Sequence, residues 1–119
     1  MSKRNYRFFL TDIKDSAYKI LEYTEKKSYK DFRKNQMLMD AVVRNLEVIG
    51  EAVKNISEKV KRKYPQVEWR KIANLRNILI HEYFGIDEVI LWDIVKNKIP
   101  DLLLNLEEIL KAEQENRKI

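Results

Sequence analysis

The sequence predicts an all-α fold, and three observations carry that prediction. The chain of 119 residues has only two glycines and two prolines, while 36% of its residues are charged, a composition typical of long helices. Apolar residues recur at intervals of three and four nearly throughout, as one face of a helix requires. No stretch alternates apolar and polar residues as a half-buried strand would. The sequence therefore predicts an antiparallel bundle of four to five helices in one domain, residues 1–119.

The first two helices are predicted from their apolar faces. The first is expected over residues 6–27, and the second, longer one over residues 31–62, ending before Pro65. Ser28 or Asp31 is the expected cap between them. The first apolar face consists of Phe9, Ile13, Ala17, Ile20, Leu21 and Thr24. The seam of the second consists of Met39, Val42, Leu46, Ile49, Val53, Ile56 and Val60.

Three shorter helices are predicted in the second half of the chain. The third is expected over residues 69–80, with Ile72, Leu75 and Leu79 directed inward. Gly85 breaks the chain, and Asp87 is the expected N-cap of a fourth helix. Pro100 fits the first turn of a fifth helix, because that position needs no backbone N–H. The fourth helix contains Val89, Ile90, Trp92, Ile94 and Val95, and the fifth is built on Leu103, Leu106, Ile109 and Leu110.

The predicted second helix also contains a glycine and a stripe of charged residues that its apolar seam does not explain. Gly50 opposes helix propensity by about 1 kcal/mol relative to alanine, and a close helix crossing is the simplest reason for it. Asp40, Arg44, Glu47 and Glu51 form a stripe beside the apolar seam. Most such stripes are solvated ion pairs; alternatively, Arg44 and Glu51 support groups in a cleft.

The composition excludes several classes of protein. The chain has one histidine and no cysteine, so neither a disulfide framework nor a zinc or other metal site is expected. There is no glycine-rich phosphate loop, so NTP hydrolysis is not expected and no cofactor is implied. No apolar run is long enough to span a membrane, and no secretory signal is recognised. The expectation is a soluble cytoplasmic protein.

The net charge of +5 is unevenly distributed. Residues 58–76 carry seven basic and two acidic groups, whereas residues 82–119 carry nine acids and five bases. This basic block favours a polyanionic partner, although a solvated basic face is equally compatible with the pattern. The basic members are Lys59, Lys61, Arg62, Lys63, Arg70, Lys71 and Arg76.

The basic block leads into the only histidine of the chain, His81. Histidine can give and take protons near neutral pH, and arginine presents a planar set of donors suited to phosphate oxygens. Arg76 and His81 therefore suit a site that cleaves phosphodiesters, and Asn77, four residues before His81, shares its helical face. The residues alone also allow a histidine that merely caps the helix C-terminus.

Several longer motifs accompany these residues. Residues 40–52 read DAVVRNLEVIGEA, and the segment Arg76-Asn77-x3-His81-Glu82-Tyr83 contains an Arg-x4-His-x-Tyr pattern. Further motifs are Tyr64-Pro65, Trp69–Ala73, Phe84-Gly85, Ile86-Asp87, Trp92 and Ile99–Leu102. In this order they resemble the motifs of the HepT-like toxins of the HEPN superfamily. Residues 40–52 are like the second-helix motif of that family, every position of its Arg-x4-His-x-Tyr motif is intact, and the resemblance covers nearly the whole chain.

The resemblance implies a homodimeric HEPN bundle that acts as the toxin of a toxin–antitoxin pair. The implied activity is metal-independent cleavage of RNA, with Arg76, His81 and Asn77 in the site. The implied partner is an MNT-type nucleotidyltransferase antitoxin, which would attach AMP to Tyr83 and so block the site by bulk and by negative charge. The sequence leaves open whether the target is mRNA or tRNA, and whether inhibition works by AMP transfer or by tight complex formation.

The chemistry of the residues agrees with a dimer. Attack by a ribose 2′-OH needs one group to remove its proton and another to protonate the leaving oxygen. One histidine cannot do both at once, but two copies of the chain would supply two. Two other functions stay open: a non-catalytic helical adaptor that binds a nucleotidyltransferase partner or a nucleotide, and a purely structural dimerisation module.

Overall fold

The computed structural model describes the backbone of residues 5–81 and 87–117 and the side chains of residues 5–75 and 87–115. All regular structure in these residues is helical, which confirms the all-α prediction. The elements are α1 (Tyr6–Thr24), α2 (Tyr29–Arg33), α3 (Gln36–Lys54), α4 (Glu58–Lys63), α5 (Trp69–His81), α6 (Glu88–Asp93), a π-helical turn (Ile94–Lys98) and α7 (Ile99–Arg117). The homodimer stays a prediction, because it concerns a second copy of the chain.

The long second helix is where the prediction was wrong. Residues 31–62 form parts of three helices, α2, α3 and α4, so the chain has more helical segments than the four to five expected. Asn35 caps α3 by accepting a hydrogen bond from the Leu38 N–H, and Ser57 caps α4 by accepting one from the Val60 N–H. These side chains satisfy N–H groups that a continuous helix would pair with its own carbonyls, so each starts a new helix.

The other helix boundaries lie closer to their predicted positions. The first helix ends at Thr24 rather than residue 27, and Lys26 adopts a φ of 59° in the turn that follows. Ser28 is the N-cap of α2, and Asp31 returns the interaction by accepting from the Ser28 N–H. This reciprocal pair is a capping box. Asp87 caps α6 by accepting from the N–H groups of Val89 and Ile90, as predicted.

The predicted start of the fifth helix is confirmed, but the chain does not break there. Pro100 lies in the first turn of α7, and helical backbone runs without interruption from Glu88 to Arg117. The Ile99 N–H donates to the Ile94 carbonyl, five residues back, which is the wide π pattern. Because proline has no N–H and its ring clashes with the carbonyl four residues earlier, a widened turn accommodates it better than a regular α-helix.

The core is built mainly by α1, α3 and α7. Helix α1 packs against α3 and α7, and α3 packs against α5. Gly50 is buried, consistent with a close crossing of helices. Six of the seven residues of the predicted seam are buried even where the helix is interrupted, and Met39 is partly buried. The six are Val42, Leu46, Ile49, Val53, Ile56 and Val60. Burial of one such side chain contributes about 1.5–3 kcal/mol.

One carboxylate lies inside this packing and joins three helices. Glu113 on α7 is 1% exposed. It accepts hydrogen bonds from the hydroxyls of Tyr6 on α1 and Tyr64 after α4. Its Oε2 lies 3.3 Å from the Lys63 Nζ, and its Oε1 lies 3.1 Å from the Arg7 Nε, a charge contact without hydrogen-bond geometry. We call these five residues the Glu113 cluster.

The Glu113 cluster shifts the titration of its members. Burial alone would raise the pKa of Glu113, but the hydrogen bonds from Tyr6, Tyr64 and Lys63 outweigh it and hold that pKa below its usual range. Burial, together with hydrogen bonding to Glu113, raises the pKa of Tyr6 and Tyr64. The cluster is therefore most favourable with the carboxyl ionised and both tyrosines protonated.

Candidate active site and the adjoining basic cleft

The predicted catalytic residues fall on α5, whose first turn is fixed by Trp69. The Trp69 indole N–H donates to the Tyr64 carbonyl at 3.0 Å, and the side chain is only 7% exposed. From this anchor the helix runs to His81 and includes Arg76 and Asn77. The side chains of these three residues, and Tyr83 as a whole, lie outside the described part of the structure.

The helical phase of α5 determines which positions share a face. At about 100° per residue, positions 70, 74, 77 and 81 fall within roughly 60° of one another. Position 76 is about 140° from position 81, as the sequence predicts. Arg70, Asn74, Asn77 and His81 therefore occupy one continuous face, and Arg76 a different one.

The first half of that face borders a cleft of about 1240 Å³. The end of α3, helix α4 and the beginning of α5 form its walls. Gly50 and Ala73 lie among its lining residues, so small side chains help to leave the space open. The charged lining residues are Lys54, Glu58, Lys61, Arg62, Glu68, Arg70 and Lys71. We call this feature the basic cleft.

The two acids among the described lining residues of the basic cleft are each paired within their own helix or turn. The Glu58 carboxylate lies 3.6 Å from the Lys61 Nζ, and the Glu68 carboxylate lies 2.7 Å from the Lys71 Nζ. The hydrogen bond between Lys71 and Glu68 lowers the pKa of Glu68 and raises the pKa of Lys71. After this pairing, the surplus positive charge of the cleft comes from Lys54, Arg62 and Arg70, all of which are exposed.

The predicted basic block does not form one surface. Four of its residues, Lys61, Arg62, Arg70 and Lys71, line the cleft, whereas Lys63 contacts Glu113. Lys59 is exposed and is not among the described lining residues, and the Arg76 side chain lies outside the described part of the structure. Sequence reasoning missed Lys54, because it precedes the block. The signal was present in the spacing: Gly50 and Lys54 are four residues apart, so a small residue and a cation share one face of α3.

Arg44 and Glu51, proposed from the sequence as supporting residues, are both on α3. The Arg44 side chain is 75% exposed and lies 3.9 Å from Glu47, an ion pair within the helix. Neither Arg44 nor Glu51 is among the described residues that line the basic cleft. Their contribution to a site stays a prediction.

Two further features concern the described residues only. Among the described side chains, residues 5–75 and 87–115, no group of three or more His, Cys, Asp or Glu is placed to hold a metal ion. No helix within residues 5–81 and 87–117 is both long and apolar enough to cross a membrane.

Comparison with known proteins identifies the family. The model of the HepT-like family, described as "Ribonuclease HepT-like", matches residues 13–109. A "Putative RNase" of Methanocaldococcus jannaschii is 47% identical over 119 residues, covering 98% of this chain and 98% of the relative. A "Probable ribonuclease HepT" of Thermococcus cleftensis is 41% identical over 109 residues, covering 92% of this chain and 99% of the relative.

A further relative supports the same family. A protein of Caldanaerobacter subterraneus, also named a "Putative RNase", is 40% identical over 108 residues, covering 91% of this chain and 96% of the relative. No solved structure matches the chain significantly. The family model and the full-length relatives agree with the resemblance carried by the motifs, and the chain belongs to the HepT-like ribonuclease family.

Proposed function

We propose that this chain is the toxin of a toxin–antitoxin pair and acts as a homodimeric, metal-independent endoribonuclease. The observation that carries the proposal is an intact Arg-x4-His-x-Tyr motif, whose Arg76 and His81 are on the last part of α5, in a chain of a ribonuclease family. The basic cleft along the first half of the same helix supports it, because an RNA substrate is a polyanion.

The proposed reaction is attack of a ribose 2′-oxygen on the adjacent phosphorus. One His81 removes the 2′-OH proton, the bond from phosphorus to the 5′-oxygen breaks, and a second His81 protonates that oxygen. The products are a 2′,3′-cyclic phosphate and a 5′-hydroxyl, so atoms and charges balance without a metal or water in this step. Since each chain has one histidine, the reaction requires two copies of α5 at one cleft.

Arg76 and Asn77 have distinct proposed roles. The Arg76 guanidinium stabilises the negative charge that develops on the phosphoryl oxygens in the transition state. Asn77 shares the helical face of His81 and orients its imidazole or a phosphate oxygen. Aligning the reacting groups in this way lowers the entropic part of the barrier.

Tyr83 is the proposed site of control. An MNT-type nucleotidyltransferase antitoxin would transfer AMP to its hydroxyl, two residues beyond His81 in the sequence. The added phosphate is an anion and the nucleoside is bulky, so both charge and sterics oppose entry of an RNA phosphate.

The test is expression of the wild-type chain, His81→Ala and Tyr83→Phe in a bacterial host, with total RNA inspected after induction. We expect growth arrest and RNA loss for the wild type and for Tyr83→Phe, and normal growth for His81→Ala. Co-expression of the nucleotidyltransferase should rescue the wild type, with an AMP adduct on Tyr83 detected by mass spectrometry. Harmless growth and intact RNA for all three would instead favour the non-catalytic adaptor.

A further inference from the structure

We propose that the basic cleft is the path of the RNA strand toward His81, and that Lys54, Arg62 and Arg70 hold its phosphates. The proposal rests on the proposed function for the identity of the polyanion. It adds the residues that bind the strand away from the bond that is cut.

The position of the cleft relative to the motif is the first support. Arg70 lines the cleft and occupies the same face of α5 as Asn77 and His81. At about 1.5 Å per residue, position 70 lies roughly 10 Å along the helix axis from position 77 and roughly 16 Å from position 81. A strand of a few nucleotides could therefore contact Arg70 while its reacting phosphate lies at the histidine.

The charge of the cleft is the second support. Lys61 and Lys71 are engaged by Glu58 and Glu68. Among the described lining residues this leaves three cations, on three different segments of the wall. Lys54 ends α3, Arg62 is on α4, and Arg70 begins α5. Cations distributed in this way can follow successive phosphates of one strand.

The nature of the wall favours a nucleic acid backbone over an acidic protein. Protein interfaces draw much of their affinity from exposed apolar or aromatic anchors near the centre. The aromatic residue of this cleft, Trp69, is buried and its indole N–H is occupied by the Tyr64 carbonyl. With no exposed aromatic face for base stacking among the described lining residues, we expect phosphate contacts with little preference for base sequence.

The experiment measures RNA binding by the full-length chain carrying His81→Ala, so that bound RNA is not cut. A short fluorescein-labelled single-stranded RNA of mixed sequence is titrated by anisotropy over a range of salt concentrations. The test variant combines Lys54→Gln, Arg62→Gln and Arg70→Gln. The matched control combines Lys19→Gln, Lys30→Gln and Arg33→Gln, which removes the same number of exposed charges at positions that do not line the cleft.

The cleft variant should weaken binding roughly tenfold or more in about 0.1 M salt. Its slope of log affinity against log salt should become shallower by about 2, because each phosphate contact with a single strand contributes about 0.7. The control should lose no more than a small part of this affinity. Arg70→Gln alone should change the slope by about 0.7, which guards against a fold defect in the combined variant.

Two results would overturn the proposal, and a third would support it while contradicting the proposed function. Equal weakening by the test and control variants would mean that RNA is attracted only by the net charge. Poly-glutamate serves as a second probe. If the cleft variant bound RNA as before but no longer bound poly-glutamate, the cleft would be assigned to an acidic protein partner. If the cleft variant loses RNA while the protein with native His81 never cuts it, the RNA path stands and the nuclease function fails.

Discussion

The Glu113 cluster and the basic cleft contain the same kinds of charged residue, but these residues are paired around a buried carboxylate in the cluster, whereas in the described part of the cleft the cations outnumber the acids and several are exposed. Two neighbours on α4 show the difference: Arg62 lines the cleft, whereas Lys63 reaches Glu113. In the cluster, one buried carboxylate is satisfied by two cations and two tyrosine hydroxyls. In the cleft, the carboxylates are fewer than the cations and the surplus charge faces water.

The difference between the two regions suggests that the charges of the Glu113 cluster stabilise the fold and that those of the basic cleft serve binding. A buried ion must be paired and hydrogen-bonded, since an unpaired one would be strongly unfavourable. Cations that remain exposed contribute little to stability but are available to a polyanion. We therefore expect changes in the Glu113 cluster to affect unfolding, and changes in the cleft to affect RNA binding.

The largest expected effect on stability is that of Glu113→Ala. The change removes the acceptor for Tyr6 and Tyr64 and leaves Arg7 and Lys63 without their carboxylate. We expect the free energy of unfolding to fall by about 3 kcal/mol, the lower end of the range for a broken buried pair, because the two cations are partly exposed. Urea denaturation followed by circular dichroism measures this loss.

The matched control for that substitution is Glu68→Ala, which breaks the exposed pair with Lys71. It should lower the free energy of unfolding far less than Glu113→Ala does, because water screens this exposed ion pair. Equal losses for Glu113→Ala and Glu68→Ala would contradict the division between a stabilising cluster and a binding cleft.

The pH dependence of stability should carry a contribution from the same cluster. The folded pKa of Glu113 lies below its unfolded value of 4.5, so its contribution is complete above pH 4.5 and is lost as the pH falls through the folded pKa. The pKa values of Tyr6 and Tyr64 are raised from 10.0, so their contributions are complete below pH 10.0 and are lost as the pH rises.

Glu113→Gln isolates the acid part of this dependence. Asp31 and Glu68 also have lowered pKa values, so the wild type minus variant difference is the informative quantity. We expect that difference in thermal stability to be constant between pH 5 and 9 and to shrink in more acidic buffer. A difference that grows on acidification would reverse the assigned direction of the Glu113 pKa.

A smaller effect is expected when the cleft loses its acids. Glu58→Gln with Glu68→Gln releases Lys61 and Lys71 from their pairs. RNA affinity of the His81→Ala chain should rise a few-fold, and the salt slope should steepen by up to about 0.7 for each lysine that gains a phosphate contact. Anisotropy titration measures this affinity, and the charge-matched control is Glu22→Gln plus Glu25→Gln. If RNA affinity rose equally in the two double variants, the acids of the cleft would have no specific role in RNA binding.

Much of the helical architecture could be predicted because periodicity and caps are local properties of the sequence. Ser28 and Asp87 were expected at helix N-termini and are found there. The break after Lys54 was missed because Ile56 and Val60 continue the apolar seam and are buried across it. Hydrophobic periodicity indicates which side chains face the core. It does not reveal a break in a helix when the apolar residues on both sides of the break still face the core.

The two charged regions were predictable to different degrees. A basic surface was expected from the charge density of residues 58–76, and four of those bases do line the cleft. Glu113 could not be singled out, because Tyr64 and Tyr6 lie 49 and 107 residues away in the sequence. A buried charge is specified by tertiary contacts, whereas a surface charge density is visible in composition.

The most direct test of the central claim is RNA cleavage by the purified chain in the presence of EDTA. The wild type should cut a single-stranded RNA and leave 2′,3′-cyclic phosphate ends. His81→Ala should slow cleavage by about 10²–10⁴-fold, the usual contribution of a proton-transfer group, with an unchanged free energy of unfolding. No cleavage by the wild type, or cleavage by His81→Ala at the wild-type rate, would contradict a ribonuclease site centred on His81.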